Sequence, residues 1–311
     1  MTPVVVIGAG IAGLACARKL ADAGVPALVL DKGRGIGGRV ATRRAGALQF
    51  DHGAQYVTAE GAGFAAMLEM LSQAGAVASW ADGSGRSHFV GTPGMSAVPK
   101  ALGAGLEVRQ GAMVTRLQAV AGGWQVRLGD SDLAAERVVI TVPAPQVAGL
   151  LGADHPLVAP LTAVRIAPCL SLMAAVRGPA PFVTRKDASD PLSWIAQDMS
   201  KPGRPGGEAT TWVAQASTAF SEAHLEKTPA EIAALMLPLL LDRLGASPDA
   251  VTHAEAHRWR YARVIAPLGQ PFLRSADASL YLGGDWCIGP RVEAAWTSGT
   301  AIAGDLLAQK A

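Results

Sequence analysis

Val4-Val5-Val6-Ile7-Gly8-Ala9-Gly10-Ile11-Ala12-Gly13, then Leu14 to Ala23, then Ala27-Leu28-Val29-Leu30-Asp31, is the stretch that decides the fold. The first apolar run has strand length, Leu14 to Ala23 has helical patterning, and Ala27 to Leu30 is a second strand ending on an acid. This is a βαβ unit with G-x-G-x-x-G in its first turn. Gly8 permits the tight turn, Gly10 lets the backbone approach a pyrophosphate, and Gly13 lets helix and strand pack closely. The pyrophosphate rests on the helix N-terminus around Ile11 and Ala12, where free N–H groups and the dipole meet anionic oxygens. Asp31 is placed to accept hydrogen bonds from ribose hydroxyls and would repel a 2′-phosphate. The reading is an adenine dinucleotide site. Its alternative is a ligand-free glycine-rich turn, since 36 of 311 residues are glycine; the second strand and its acid favour the site.

Bulk properties narrow the rest. Half the residues (50%) are hydrophobic and 17% are charged, which describes a globular chain with a large core. A net charge of +2, with arginines scattered, gives no reason to expect nucleic acid. No apolar run reaches the roughly 18 residues of a membrane span, and Ile232 to Leu241 is broken by Pro238. The first strand begins by residue 4, so no signal peptide is expected and the expected compartment is the cytoplasm. Cys16, Cys169 and Cys287 are far apart and odd in number, against a disulfide framework or a metal site.

Further along, Lys32-Gly33-Arg34-Gly35-Ile36-Gly37-Gly38-Arg39 is a second glycine-rich loop with three cations. It reads either as a solvated loop or as a fold over the same pyrophosphate, with glycine amides and Arg39 as donors. Phe50 to Tyr56 looks like a strand end breaking into a loop. Residues 62–74 pattern as an amphipathic helix, 94–102 as a short helix, and 114–128 as a hairpin turning at Gly122-Gly123. Val164 to Val176, Thr210 to Ser217 and Val251 to Trp259 read as strands of an antiparallel sheet. Thr228 caps a helix running to Leu244, with Pro229 at its first position. Ser279 to Leu282 is a last strand, followed by Gly283-Gly284-Asp285-Trp286 and a helix from Val292.

The expected fold class is therefore α/β: a Rossmann-like domain with an inserted α+β substrate domain on a mainly antiparallel sheet. Residues 1–58, 94–158 and 276–311 form the discontinuous nucleotide part, and 59–93 with 159–275 the substrate part. A nicotinamide dehydrogenase normally completes its site with a second contiguous βαβαβ half. This chain instead breaks into an insertion and returns only at its end, which suits FAD. Asp285 is placed for ribityl hydroxyls, and the last helix N-terminus for the flavin N1/O2 edge.

Together, Gly8–Gly13, Asp31, Gly35–Arg39, Asp51-His52-Gly53-Ala54-Gln55-Tyr56 and Gly284-Asp285-Trp286 resemble the flavin-containing amine oxidase superfamily. Within it the chain is similar to the renalase family, on Gly53–Tyr56, Gly91–Ser96, Ala256–Trp259 with Tyr261–Arg263, Gly284–Cys287 and Arg291–Trp296. The resemblance implies non-covalently bound FAD. Gly8, Gly10, Ile11, Ala12, Gly13, Asp31, Lys32, Gly38 and Arg39 match positions holding the ADP half, and Val114 a position whose backbone contacts adenine. Gly53, Ala54, Gln55, Tyr56, Gly284, Asp285, Arg291, Val292 and Glu293 match positions around the isoalloxazine. It also implies oxidation of 2- and 6-dihydro isomers of NAD(P)H by hydride transfer to flavin N5, with O2 reoxidising the flavin to give H2O2. No general base is needed for that transfer, so no acid or base is assigned.

Pocket candidates are Gln55, Tyr56, Trp194, His257, Trp259, Tyr261 and Trp286. His257 would donate to a carboxamide or ribose, or else is a satisfied strand histidine. Trp259 and Trp296 read as core at least as readily as site, whereas Trp286 is expected at the flavin edge. Cys287 reads as a small buried hydrophobe. Two other functions stay open: an amine oxidase on the same scaffold, for which Tyr56, Tyr261 and Tyr281 supply few tyrosines for a cage, and a non-catalytic FAD-binding partner protein.

Overall fold

The computed structural model describes residues 2–86 and 88–309. Its first sheet has eight strands, in the spatial order Phe272–Arg274, Leu280–Gly283, Ser131–Ile140, Thr2–Ile7, Ala27–Leu30 and Glu107–Arg109. The hairpin Val114–Val120 and Gly123–Leu128 joins it through the first half of Ser131–Ile140. The five strands from Leu280–Gly283 to Glu107–Arg109 pair in parallel. Parallel strands are covered on both faces, and Val4 to Val6 accordingly alternate between two cores. Val4 and Val6 face Leu14, Leu20 and Ile302, whereas Val5 and Ile7 face Leu28, Val138 and Trp286.

The helix Ile11–Asp22 starts three residues earlier than its apolar patterning suggested, because Gly10 in extended geometry is its N-cap. The C-terminal helix Val292–Ala308 lies against it so closely that a Cβ on Gly299 would sit 2.0 Å from the Ala12 carbonyl oxygen. Residues 59–93 pack into this core and also bond to the second-sheet part, Trp80 Nε1 donating to Ser200 Oγ at 3.1 Å. Phe64, Met67 and Leu68 of the helix Ala62–Gln73 and Trp80 and Val90 of the next hairpin pack into the cluster of Val4 and Leu14. The apolar stripe that made the helix readable is the one that meets Trp296 of the C-terminal helix, ring centroids 5.6 Å from Phe64.

The second sheet is antiparallel, in the order Thr184–Lys186, Trp194–Gln197, Ala209–Gln215, Arg165–Arg177 and Val251–Ala266. One face carries Leu170, Leu172, Trp212 and Ala214 against Ile232, Met236 and Leu240 of the helix Pro229–Leu244. That helix begins with a capping box: the Thr228 hydroxyl accepts from Glu231 N–H while Glu231 accepts from Thr228 N–H. The strand from Val251 runs to Ala266, longer than the expected stop at Trp259. A bulge between its pairings Trp259↔Cys169 and Arg263↔Ala167 absorbs the extra residues and lets pairing continue.

A buried charge cluster joins the connection Asp198–Arg204 of the second sheet to the loop after Phe50. Asp51, Asp198, Lys201 and Arg204 have side chains at most 1% exposed. Lys201 Nζ lies 2.6 Å from Asp198 Oδ1, 3.4 Å from Asp51 Oδ2 and 3.2 Å from Gln55 Oε1. Arg204 pairs with Asp51 and also donates to the carbonyls of Gly91 and Pro202 at 2.8 and 2.7 Å. Asp51 accepts further from the Thr42 hydroxyl (2.6 Å) and Met95 N–H (2.9 Å). Burial works against its charge, but the cations and these donors hold its carboxyl below the usual range. Burial and the neighbouring Asp51 push Asp198 the other way, upward.

Among the described residues the three cysteines are free, no group of side chains is arranged to hold a metal ion, and no helix is long and apolar enough to cross a membrane.

Two stability predictions follow from this packing. Thr228→Ala removes one hydrogen-bonded helix cap and is expected to cost about 1 kcal/mol in urea unfolding, without altering the sheets. Lys201→Met leaves two buried carboxylates sharing one cation, and the expected loss is about 3–5 kcal/mol; a loss similar to that of Thr228→Ala would refute the cluster's role.

Candidate functional site

The first glycine turn has the shape a pyrophosphate needs. Gly8 sits at φ +108°, where a Cβ would be 2.7 Å from Thr141 Oγ1, and a Cβ on Gly13 would be 2.0 Å from Gly8 O. Both are closed by protein. Gly10 differs, because a Cβ there meets nothing within 4 Å. The space before Gly10 and the first N–H groups of the helix Ile11–Asp22 is open, and those groups have no intrahelical acceptor. The second glycine loop closes on the first: Gly37 N–H donates to Ala9 O at 2.7 Å, and Gly38, at φ +56°, lies against Gly10.

Asp31 is at the end of its strand, with both oxygens engaged. Oδ2 accepts from Ala9 N–H and Oδ1 from Gly33 N–H, each at 2.6 Å. The carboxylate thus fixes both glycine loops while remaining half-exposed. Lys32 is exposed beside it. Ala112 N–H donates to Asp31 O at 2.8 Å, which brings the buried Val114 to the same end of the sheet.

Arg39 and Asp285, assigned from sequence to separate parts of the cofactor, are paired with each other. The guanidinium forks onto the carboxylate at 2.8 and 2.6 Å and also donates to Ala262 O at 3.0 Å. That carbonyl belongs to the strand bulge, so the irregularity in the second sheet meets the second glycine loop. Ala54 N–H donates to Arg39 O at 2.9 Å, and a Cβ on Gly53 would be 1.9 Å from the same oxygen. Gly53 is required by that close approach.

Four side chains assigned from sequence to the cofactor or its substrate, Trp286, Gln55, Glu293 and Arg291, are instead engaged by protein. Trp286 has no exposed surface and donates through Nε1 to Val142 O at 3.0 Å, so it is core and not an edge of an open site. Gly284, at φ +149°, is pinned over that indole, and its N–H donates to Ser298 Oγ at 2.9 Å. Gln55 is buried and turned into the charge cluster, donating to Gly53 O at 3.1 Å. Glu293 accepts from Gly61 and Glu60 N–H at 2.6 and 3.0 Å, and Arg291 pairs with Glu60. These two tether the loop before the helix Ala62–Gln73, while Val292 opens the C-terminal helix as expected. Trp296 packs on Phe64 and Gly63, the core alternative of the sequence reading.

The remaining candidates gather on one face of the second sheet. Lys186, Trp194, Gln215, Ser171 and His257 are in register across its five strands. This row grips the loop after Asp51. Gln215 donates to Gly53 O at 2.7 Å, Ser171 to His52 O at 2.9 Å, and Trp259 Nε1 to His52 O at 2.8 Å. The His52 ring stacks on Trp259 and meets His257 edge-on, centroids 5.1 and 4.8 Å away. Tyr56 approaches Trp194 at 5.7 Å with the planes 54° apart, and Tyr261 is two residues beyond Trp259.

The two histidines of this face are held in their neutral form. Burial, reinforced by His257 and Arg43, pushes His52 down to about 3, and burial with Arg43 lowers His257 as well. Arg43 Nη2 lies 3.4 Å from His257 Nδ1. A guanidinium only donates, so Nδ1 accepts and the ring proton is on Nε2. Neighbouring carboxylates are already partnered: Glu255 by Arg43, Asp51 and Asp198 by Lys201 and Arg204.

Sequence reasoning missed Arg43, His52, Ser171, Asp198, Arg204 and Gln215. For Ser171 the available signal was a polar residue at an inward strand position between Leu170 and Leu172. Arg43, His52 and Gln215 carry no local pattern, because their partners are far away in sequence; Asp198 and Arg204 lie close to Lys201, but Asp51, which completes their cluster, does not.

The open cradle at Gly10, the two linked glycine loops and Asp31 fit a dinucleotide, and comparisons agree. Residues 6–74 match the NAD(P)-binding Rossmann-like domain model, and residues 78–307 match that of flavin containing amine oxidoreductase. A structure assigned as a protoporphyrinogen oxidase from Exiguobacterium sp. 255-15 superposes at TM-score 0.80 and 13% identity, covering 99% of both chains. A double mutant of putrescine oxidase gives 0.77 at 15% identity, over 98% of this chain and 99% of that one. Cyclohexylamine oxidase from Brevibacterium oxydans IH-35A gives 0.76 at 13% identity, over 99% of each. Among curated proteins, the tRNA 5-methylaminomethyl-2-thiouridine biosynthesis bifunctional protein MnmC of Marinobacter nauticus is 46% identical over 54 residues, 17% of this chain. The match spans 9% of that protein's length. Because one model covers most of its length, and the cradle suits the cofactor FAD, the chain belongs to the flavin-containing amine oxidoreductase family.

Proposed function

We propose that this flavoprotein is a renalase-type oxidase that converts 2- and 6-dihydro isomers of NAD(P)H to NAD(P)+. In this reading Gly8, Gly10–Gly13, Asp31, Lys32, Gly38, Arg39 and Val114 hold the ADP half of FAD, and Gly53, Ala54, Tyr56, Asp285 and Val292 surround its reactive end. Bound FAD supplies the two-electron acceptor, and O2 is the final oxidant, giving H2O2.

The observation that carries the reading is that the histidines on the aromatic face are neutral and held at lowered pKa, so the face presents no strong base. A dihydronicotinamide is uncharged at its ring and loses a hydride without needing a base. Its requirements are stacking, orientation and a donor for the carboxamide. Tyr56, Trp194 and Trp259 offer aromatic surface, and His257 offers a neutral Nε2–H donor set by Arg43. An ammonium would instead require an acceptor or a free carboxylate, and the carboxylates nearby are paired.

A second reading, amine oxidation, draws support from the angled pair Tyr56 and Trp194 and from the amine substrates named for two fold neighbours. An aromatic corner also accommodates a deprotonated amine.

Anaerobic mixing of FAD-loaded protein with 6-dihydroNAD, β-NADH and a panel of primary amines separates them. Bleaching of the flavin within seconds by the 6-dihydro isomer alone, followed by recovery and H2O2 on admitting air, is expected. Bleaching by an amine alone would replace the proposal with the second reading. A companion variant tests the cradle. Gly10→Val fits the backbone at φ −76° but fills the open space, so it is expected to fold with wild-type circular dichroism and to purify without yellow colour.

A further inference from the structure

Behind Tyr56 lies a pair of buried polar side chains that neither the cofactor site nor the charge cluster uses. His88, on the strand His88–Gly91, stacks on the Tyr56 ring with centroids 3.8 Å apart and planes 16° from parallel. Its Nδ1 is 2.9 Å from Asp82 Oδ2, a close polar contact off the line of a hydrogen bond. His88 is 4% exposed and Asp82 2%. Asp82 is fixed in turn: Oδ1 accepts from Ser84 N–H at 2.9 Å and from the Ser84 hydroxyl at 2.6 Å, and its carbonyl accepts from Thr184 Oγ1 at 2.8 Å. The last contact anchors the pair to the edge strand of the second sheet, two rungs from Trp194.

A buried carboxylate costs free energy that an apolar side chain would avoid, so hairpin packing alone gives no reason for Asp82. What the pair accomplishes is geometric. Asp82 stands at the Nδ1 edge of the imidazole, and the imidazole covers one face of Tyr56. Tyr56 is only half-buried, and the Trp194 indole stands beside it, 5.7 Å away and inclined by 54°. We propose that His88, flanked by Asp82, is a positioning residue that backs Tyr56, so that the open face of Tyr56 and the Trp194 indole form a two-walled stacking corner for the planar ring of the substrate. The inference rests on the dihydronicotinamide reading for the identity of that ring. Offset stacking contributes about 0.5–1.5 kcal/mol per aromatic pair, so losing a held Tyr56 plane corresponds to roughly a tenfold change in apparent affinity at most.

The test has a structural arm and a kinetic arm, both on FAD-loaded protein. In NMR spectra of protein carrying 13C-labelled histidine, the His88 ring protons are expected upfield of the other histidines and to move downfield in Tyr56→Leu. Unmoved resonances would overturn the stack, whatever the substrate. In steady-state kinetics with 6-dihydroNAD, His88→Ala is expected to raise KM roughly tenfold and leave kcat within about twofold. His88→Phe, which keeps a stacking face, restores KM, and Asp82→Asn gives an intermediate rise. An unchanged KM in His88→Ala, or equal rises in His88→Ala and His88→Phe, would overturn the positioning role. If His88→Ala does not load FAD, Asp82→Asn and His88→Phe decide by the same KM criterion. A wild-type enzyme inert to dihydronicotinamides would sink the functional reading instead; the KM comparison then runs with whichever planar or saturated amine bleaches the flavin, and a ring-independent KM rise would sink the corner too.

Discussion

The rest of the site depends on the salt-bridged group of Asp51, Asp198, Lys201 and Arg204. Four buried charges are tolerable when each has its counter-charge and nearly all its hydrogen-bonding capacity is filled; in this cluster Arg204 Nε is the one described side-chain atom left without a hydrogen-bond partner. Here that condition fixes three chain segments at once: the loop after Phe50, the turn at Gly91 to Met95, and the connection from Asp198 to Arg204. The first of these carries Gly53, whose backbone touches Arg39, and Arg39 forks onto Asp285. A displacement of the cluster would therefore pass through two further contacts to the strand that closes the nucleotide site.

The second sheet acts on the same loop from the other side. Its register places Ser171, Gln215 and Trp259 so that each donates to a carbonyl of residues 52–53, and the bulge before Arg263 directs Ala262 O at Arg39. The histidines it gathers are kept neutral by burial and by Arg43, which suits a chemistry of orientation and two-electron transfer.

Local signals were legible in the sequence, and assembled ones were not. The βαβ unit was readable because its glycines, helix and acid act within about thirty residues, and the helix Pro229–Leu244 because Thr228, Pro229 and Glu231 mark its start. The charge cluster was invisible, since Asp51 and Lys201 are separated by 150 positions and each alone resembles a surface residue. Trp286 was misplaced for a different reason. It follows Asp285 directly, but the two lie in a 3-10 turn in which successive side chains point about 120° apart. Asp285 faces Arg39, and Trp286 faces the sheet core. Gln55 was misread in a similar way, because a polar residue beside Tyr56 was taken to share its direction, whereas the two side chains diverge.

The parallel sheet sets its first strand, Thr2–Ile7, one strand away from its last parallel one, Leu280–Gly283, with Ser131–Ile140 between them. The carboxylate that receives Arg39 is 246 residues downstream of it. On a growing chain the dinucleotide loops are therefore present long before the pieces that seal them, and the βαβ unit emerges with one sheet edge and one helix face uncovered. The loops wait through 246 residues of synthesis for the carboxylate that receives Arg39, and a cell making this protein has reason to shield that edge in the interval.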